Sequence, residues 1–83
     1  MSTRAQKEFR GLSRSMKRRV KESLLKLSEG DEHLDIKKLK GVSGREDLFR
    51  LRVGDHRILY YPEKKAIKVI RIDHRDKIYD WLE

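Results

Sequence analysis

The spacing of apolar positions divides the chain into a helical first third and a strand-forming second half. Ala5, Phe9 and Leu12 recur at helical spacing. Met16, Val20, Leu24 and Leu27 form a longer stripe, opposed by Arg14, Lys17, Arg18, Arg19 and Lys21. These stripes predict two helices, about 3–12 and 14–29, packed as an antiparallel pair. Gly11 weakens the last turn of the first helix, Ser13 or Ser15 can cap the second, and Gly30 can terminate it. Residues 31–46, DEHLDIKKLKGVSGRE, hold no sustained period and read as a connection, anchored to the core by Leu34, Ile36 and Leu39. From Leu48 the period is two, with Phe49, Leu51 and Val53 on one face and Arg50 and Arg52 on the other. Gly54-Asp55 suits a two-residue hairpin turn, because glycine at the first central position accepts a positive φ. The return strand runs from His56 to Tyr61, Pro62 ends it, PEKK turns the chain, and Ala66–Ile72 is a third strand. Ile78, Tyr79, Trp81 and Leu82 read as a short C-terminal helix or tail. The predicted class is α+β: two N-terminal helices packed on a small antiparallel sheet, a three-stranded meander, whose other face is free to work.

Eighty-three residues make one domain, 1–83, with a modest core, since 36% of residues are hydrophobic and 43% charged. The absence of cysteine removes disulfides and thiolate metal sites and fits a reducing cytoplasm. No apolar run approaches a membrane span and no signal-peptide core is present, so a soluble cytoplasmic protein without membrane contact is expected. The formal charge of +8 changes the picture most. A field of that size on so small a domain favours nucleic acid or an acidic protein partner.

The candidate chemistry lies in LFRLRVGDHRILYY, which sets three arginines and a histidine into a hairpin. Arg50 and Arg52 leave the same face about 6 to 7 Å apart, a spacing that suits successive phosphates. Arg57 lies across the turn, and period alone leaves its facing open. In RIDHRDKIY, a segment that curls back would bring His74, Arg75 and Tyr79 to the same region, adding a group titrating near neutrality and an aromatic ring. Taken singly, strand arginines are most often a solvated face with Asp or Glu partners. Tyr60 and Tyr61 fit core and rim, Tyr79 beside Trp81 fits a hydrophobic latch, and His33 and His56 fit surface or packing roles. Three scattered histidines carry no metal-ligand spacing, and no triad order, P-loop or dinucleotide motif is present, so neither metal nor cofactor is expected.

Order and spacing together carry a resemblance. Leu39-Lys40-Gly41, the hairpin from Arg50 through Tyr60, and His74-Arg75-Asp76-Lys77-Ile78-Tyr79 resemble the RelE family of the RelE/ParE toxin superfamily, and STRAQKEFRGL is similar to its first helix. The resemblance implies the toxin of a type II toxin–antitoxin system: a metal-independent mRNA interferase that enters the ribosomal 30S A site, among the rRNA, and cleaves the bound mRNA. It also implies an acidic RelB-like antitoxin. The implied reaction is attack of a ribose 2′-OH on the adjacent phosphate, giving a 2′,3′-cyclic phosphate and a 5′-OH. Carried over by position, Arg57 and Arg75 stabilise the scissile phosphate, Tyr79 stacks on a base, and Arg50 and Arg52 hold flanking phosphates. Some family members have lysine as a proposed base at the Arg50 or Arg52 position. Arginine stays protonated, which leaves the base unassigned and His74 as the candidate by titration range. The resemblance further implies a strand ahead of the first helix, and this chain opens on the helix. One sheet edge is then expected to be exposed, to be filled by a second copy in a homodimer or by the antitoxin. The rival readings are a ParE-like inhibitor of DNA gyrase and a catalytically weak RNA- or antitoxin-binding remnant.

Overall fold

The computed structural model describes residues 1–39 and 47–78. Two helices, α1 (Thr3–Arg10) and α2 (Arg14–Ser28), precede four strands, β1 (Ile36–Lys38), β2 (Phe49–Val53), β3 (His56–Glu63) and β4 (Ala66–His74). Both helices begin where serine hydroxyls cap them. Ser2 Oγ accepts from Ala5 N and Ser13 Oγ from Met16 N, each at 3.1 Å. The C-terminus of α2 closes as a Schellman motif: Gly30 N donates to Leu27 O and Asp31 N to Lys26 O, while Gly30 takes φ +77°.

All four strands pair antiparallel in the order β1-β2-β3-β4. The expected three-stranded meander therefore gains a fourth strand from the connection, where Ile36, Lys37 and Lys38 pair with Leu51, Arg50 and Phe49. Three residues with two lysines carry no apolar alternation, so backbone pairing to β2 makes this strand, not side-chain burial. Ile36 accordingly stays 37% exposed and does not anchor the core, whereas Leu34 and Leu39 do pack. Pro62 does not end β3 but sits within it opposite Ile67. Past Tyr60, among the described residues only β4 pairs with that strand, so the ladder tolerates a residue without a donor. The second hairpin turns at Lys64-Lys65, with Lys65 at φ +59°.

The helices cover one sheet face. Ala5 and Val20 pack there with Leu51, Val53, Ile58, Tyr60, Val69 and Ile72. The outer edge of β4 is met by α1: Ser2 N donates to Val69 O at 2.8 Å, Ser2 Oγ to Ile70 O, and Ile72 N to Glu8 Oε1 at 2.9 Å. The expected open edge is thus partly closed by a helix terminus. The opposite face is not wholly free either. Leu48, Leu59 and Ile78 are fully buried on it, with Leu39, Tyr61 and Ile70 around them. Burial of Ile78 in that cluster means that the chain after β4 does curl back over the face opposite the helices. Among the described residues no helix is long and apolar enough to cross a membrane.

Candidate functional site

At the end nearest the β2–β3 turn the outer face carries charged side chains in place of the apolar cluster. Residues directly paired across antiparallel strands share a face. Arg52 pairs with Arg57, and Arg57 with Asp73, while Arg52 N donates to Asp35 O at 3.0 Å just ahead of β1. One cross-strand row therefore reads Asp35, Arg52, Arg57, Asp73. The neighbouring row reads Lys37, Arg50, Leu59, Arg71.

Two like charges directly opposite each other in a sheet oppose its pairing. Arg52 keeps 52% of its side chain exposed, but Arg57 is 8% exposed as a residue. Its Nη1 donates to Gly54 O at 3.1 Å and His56 O at 3.0 Å, and it makes no ion pair among the described residues. A buried guanidinium that carbonyl dipoles hold, with no counter-charge among the described residues, favours an anionic ligand, because burial without a counter-charge is costly. The turn that orients it depends on Gly54, at φ +59°, where a Cβ would also lie 2.7 Å from Arg19 Nη1 of α2. Arg50 Nη2 donates to Asp35 Oδ1 at 3.0 Å, and Arg52 Nη1 stands 3.9 Å from Asp35 Oδ2. Arg50 Nε is buried without a partner among the described residues.

The other end of the row is fastened through charges that the sequence pattern did not reveal. Arg71, 4% exposed, donates from Nε and Nη2 to Glu8 of α1 and from Nη2 to Asp73 Oδ2 at 3.1 Å. Asp73 Oδ1 also accepts from His74 N at 2.7 Å. An arginine inside the apolar run VIRI needs a carboxylate, and Glu8 is the single acid in the first twenty-one residues. That search would have found the pair.

Of the sequence-predicted residues, the structure gathers Arg50, Arg52 and Arg57 on one face. Arg75 comes to the same hairpin end, its N donating to Asp55 O at 2.8 Å, with its side chain more than half exposed. His74 is not brought to the arginines. It pairs with His56 across from Val53, on the helix-covered side, with the two rings edge to face at 5.7 Å. His74 Nδ1 lies 3.3 Å from Asp76 Oδ2. His56 is pushed below the usual histidine range, first by burial and then by His74, against Asp73 and Asp55. Tyr79, and the expected C-terminal helix or tail with Trp81 and Leu82, lie outside the described residues. Among the described residues no group of three or more His, Asp or Glu side chains is arranged to hold a metal.

Comparison with known proteins places the chain in a family. A family model described as the ParE toxin of the parDE type II toxin–antitoxin system matches residues 1–79. The fold is similar to a chain of the RelB–RelE antitoxin–toxin complex of Methanococcus jannaschii, at TM-score 0.72 and 28% identity over 95% of this chain and 93% of that one. It is also similar to a chain of the archaeal RelE–RelB complex of Pyrococcus horikoshii OT3, at TM-score 0.66 and 30% identity over 90% of this chain and 97% of that one. No curated protein matches. The chain belongs to the ParE toxin family, within the RelE/ParE superfamily, and is a toxin of the type II toxin–antitoxin class.

Proposed function

We propose that this toxin is a ribosome-dependent mRNA endoribonuclease that cleaves the codon in the A site by 2′-OH attack. The observation that carries the reading is the buried Arg57 facing Arg52 across the sheet, a cation pair whose buried member has no ion-paired acid among the described residues. Successive phosphates of an RNA strand are the ligand that such a pair suits, the scissile one at Arg57 and a flanking one at Arg52, because a guanidinium presents paired donors to phosphate oxygens. In this reading Arg57 and Arg75 stabilise charge developing on the phosphate, Arg50 and Arg52 hold flanking phosphates, and Tyr79 stacks on a base. As the 2′-oxygen bonds to phosphorus, the bond to the 5′-oxygen breaks. The products are a 2′,3′-cyclic phosphate and a 5′-hydroxyl. An acidic RelB-like antitoxin neutralises the toxin, a partner supported by the charge of +8 and by the two similar RelE chains having been solved with RelB. The end groups of mRNA recovered after incubation with programmed ribosomes test the reaction. A 5′-hydroxyl end that a polynucleotide kinase labels directly is expected, whereas a 5′-phosphate end excludes the mechanism.

One observation favours a second reading: the matched family model is that of the ParE toxin. A ParE-like chain inhibits DNA gyrase and cuts no RNA. Loss of gyrase supercoiling at toxin concentrations that leave ribosome-bound mRNA whole selects that reading.

A further inference from the structure

We infer that Asp35 is the proton acceptor for the attacking 2′-hydroxyl. This inference rests on the interferase reading and supplies the base that the arginine set lacks. An arginine cannot take the proton, and His74 lies on the helix-covered side of the sheet. Two carboxylates end the row that holds Arg52 and Arg57. Asp73 is committed at both oxygens, Oδ2 to Arg71 and Oδ1 to His74 N. The Asp35 side chain is 53% exposed and, among the described residues, hydrogen-bonded at Oδ1 only, where Arg50 Nη2 approaches to 3.0 Å. Its Oδ2 stands 3.9 Å from Arg52 Nη1, beyond hydrogen-bond reach and beside the guanidinium assigned to a flanking phosphate. A ribose lying over Arg52 thus meets a carboxylate oxygen that is free to accept. Asp35 takes the 2′-OH proton as the oxygen bonds to phosphorus. The 5′-oxygen leaves with a proton from water, and Asp35 returns its own to solvent.

The test compares wild type, Asp35→Asn and Asp35→Glu in single-turnover cleavage of ribosome-bound mRNA from pH 6 to 8.5. Binding is measured in parallel to ribosomes carrying a 2′-deoxy, uncleavable A-site codon. Asp35→Asn is expected to slow cleavage by about 100-fold or more, the range for a lost general base, while binding stays equal or tightens. Its rate should then climb about tenfold per pH unit as hydroxide replaces the carboxylate, where wild type is flat; Asp35→Glu should retain part of the rate. If Asp35→Asn binds more tightly and cuts within a few-fold of wild type, Asp35 is only a counter-charge for the arginines. That result overturns the inference and leaves the interferase reading intact. Loss of binding by both variants assigns Asp35 a structural part and overturns it too. A wild type that binds and never cuts overturns the inference together with the reading beneath it.

Discussion

Replacing Glu8 by alanine strikes the charge network that fastens α1 to β4 and steadies the end of the arginine row. Glu8 accepts from Ile72 N at 2.9 Å and from Arg71 Nε and Nη2 at 3.1 to 3.2 Å. Its removal leaves a buried backbone N–H without an acceptor, a cost of about 1–3 kcal/mol. It also strips a nearly fully buried guanidinium of one of its carboxylate partners, and breaking such a pair outright costs about 3–5 kcal/mol. Because Asp73 still holds Arg71, the two costs together should come to about 3 kcal/mol rather than their full sum. For a domain of this size that corresponds to a fall in Tm of about 12 to 24 °C. Urea and thermal unfolding followed by circular dichroism would measure it, with Arg71→Met and the double variant Glu8→Leu/Arg71→Met completing a cycle. The double variant should recover much of the loss, since apolar replacement of a buried ion pair is often neutral. A Glu8→Ala loss under about 1 kcal/mol, or strictly additive single losses, would refute the idea that the network is buried and coupled.

Arg52→Ala should leave stability unchanged or raise it by about 0.2–1 kcal/mol, because it relieves the like-charge contact with Arg57, as urea unfolding would read. The same change should weaken RNA binding and reduce the slope of log affinity against log salt by about 1. Lys65→Gly should stabilise by a few tenths to about 1 kcal/mol in thermal unfolding, because φ +59° suits glycine and strains a side-chain-bearing residue. His56 favours its neutral form in the fold, so the unfolded chain binds the proton more readily. Its contribution to stability is present above the unfolded value of 6.5 and is lost as pH falls through the lowered folded value. Tm should therefore drop as pH falls from 6.5 towards the lowered folded value, and His56→Gln should flatten the drop.

The helices and the β2–β3 hairpin were legible because their signals are local. Ser13, the stripe from Met16 to Leu27 and Gly30 name the start, the face and the stop of α2. Phe49, Leu51 and Val53 name the face of β2, and Gly54 its turn. Strand β1 was illegible, since an exposed Ile-Lys-Lys segment becomes a strand only by pairing with a partner already placed. The outer face was read as free because Leu48 and Ile78 lie thirty positions apart and meet only in the fold. The arginine pattern pointed to one sheet face, on which register does gather Arg50, Arg52 and Arg57, and chain order pointed to a segment that returns to that face, as Ile78 does. The acids Asp35 and Asp73 and the Glu8–Arg71 pair carry no period of their own. Their positions follow from register, which pairwise spacing along one strand does not contain. His74 illustrates the same limit: alternation from Arg57 and Asp73 puts it on the opposite face, once β4 is known to extend through it.

The central claim is that Arg57 and Arg52 form a phosphate site that cuts mRNA on the ribosome. Toeprinting of purified ribosomes programmed with a defined mRNA tests it most directly, with wild type and Arg57→Ala side by side and free mRNA as control. Cuts within the A-site codon are predicted for folded wild type only, absent from free mRNA and lost or reduced at least about 100-fold in Arg57→Ala, as for a missing preorganised cation. Intact mRNA with folded wild type, or equal cutting by Arg57→Ala, would contradict it.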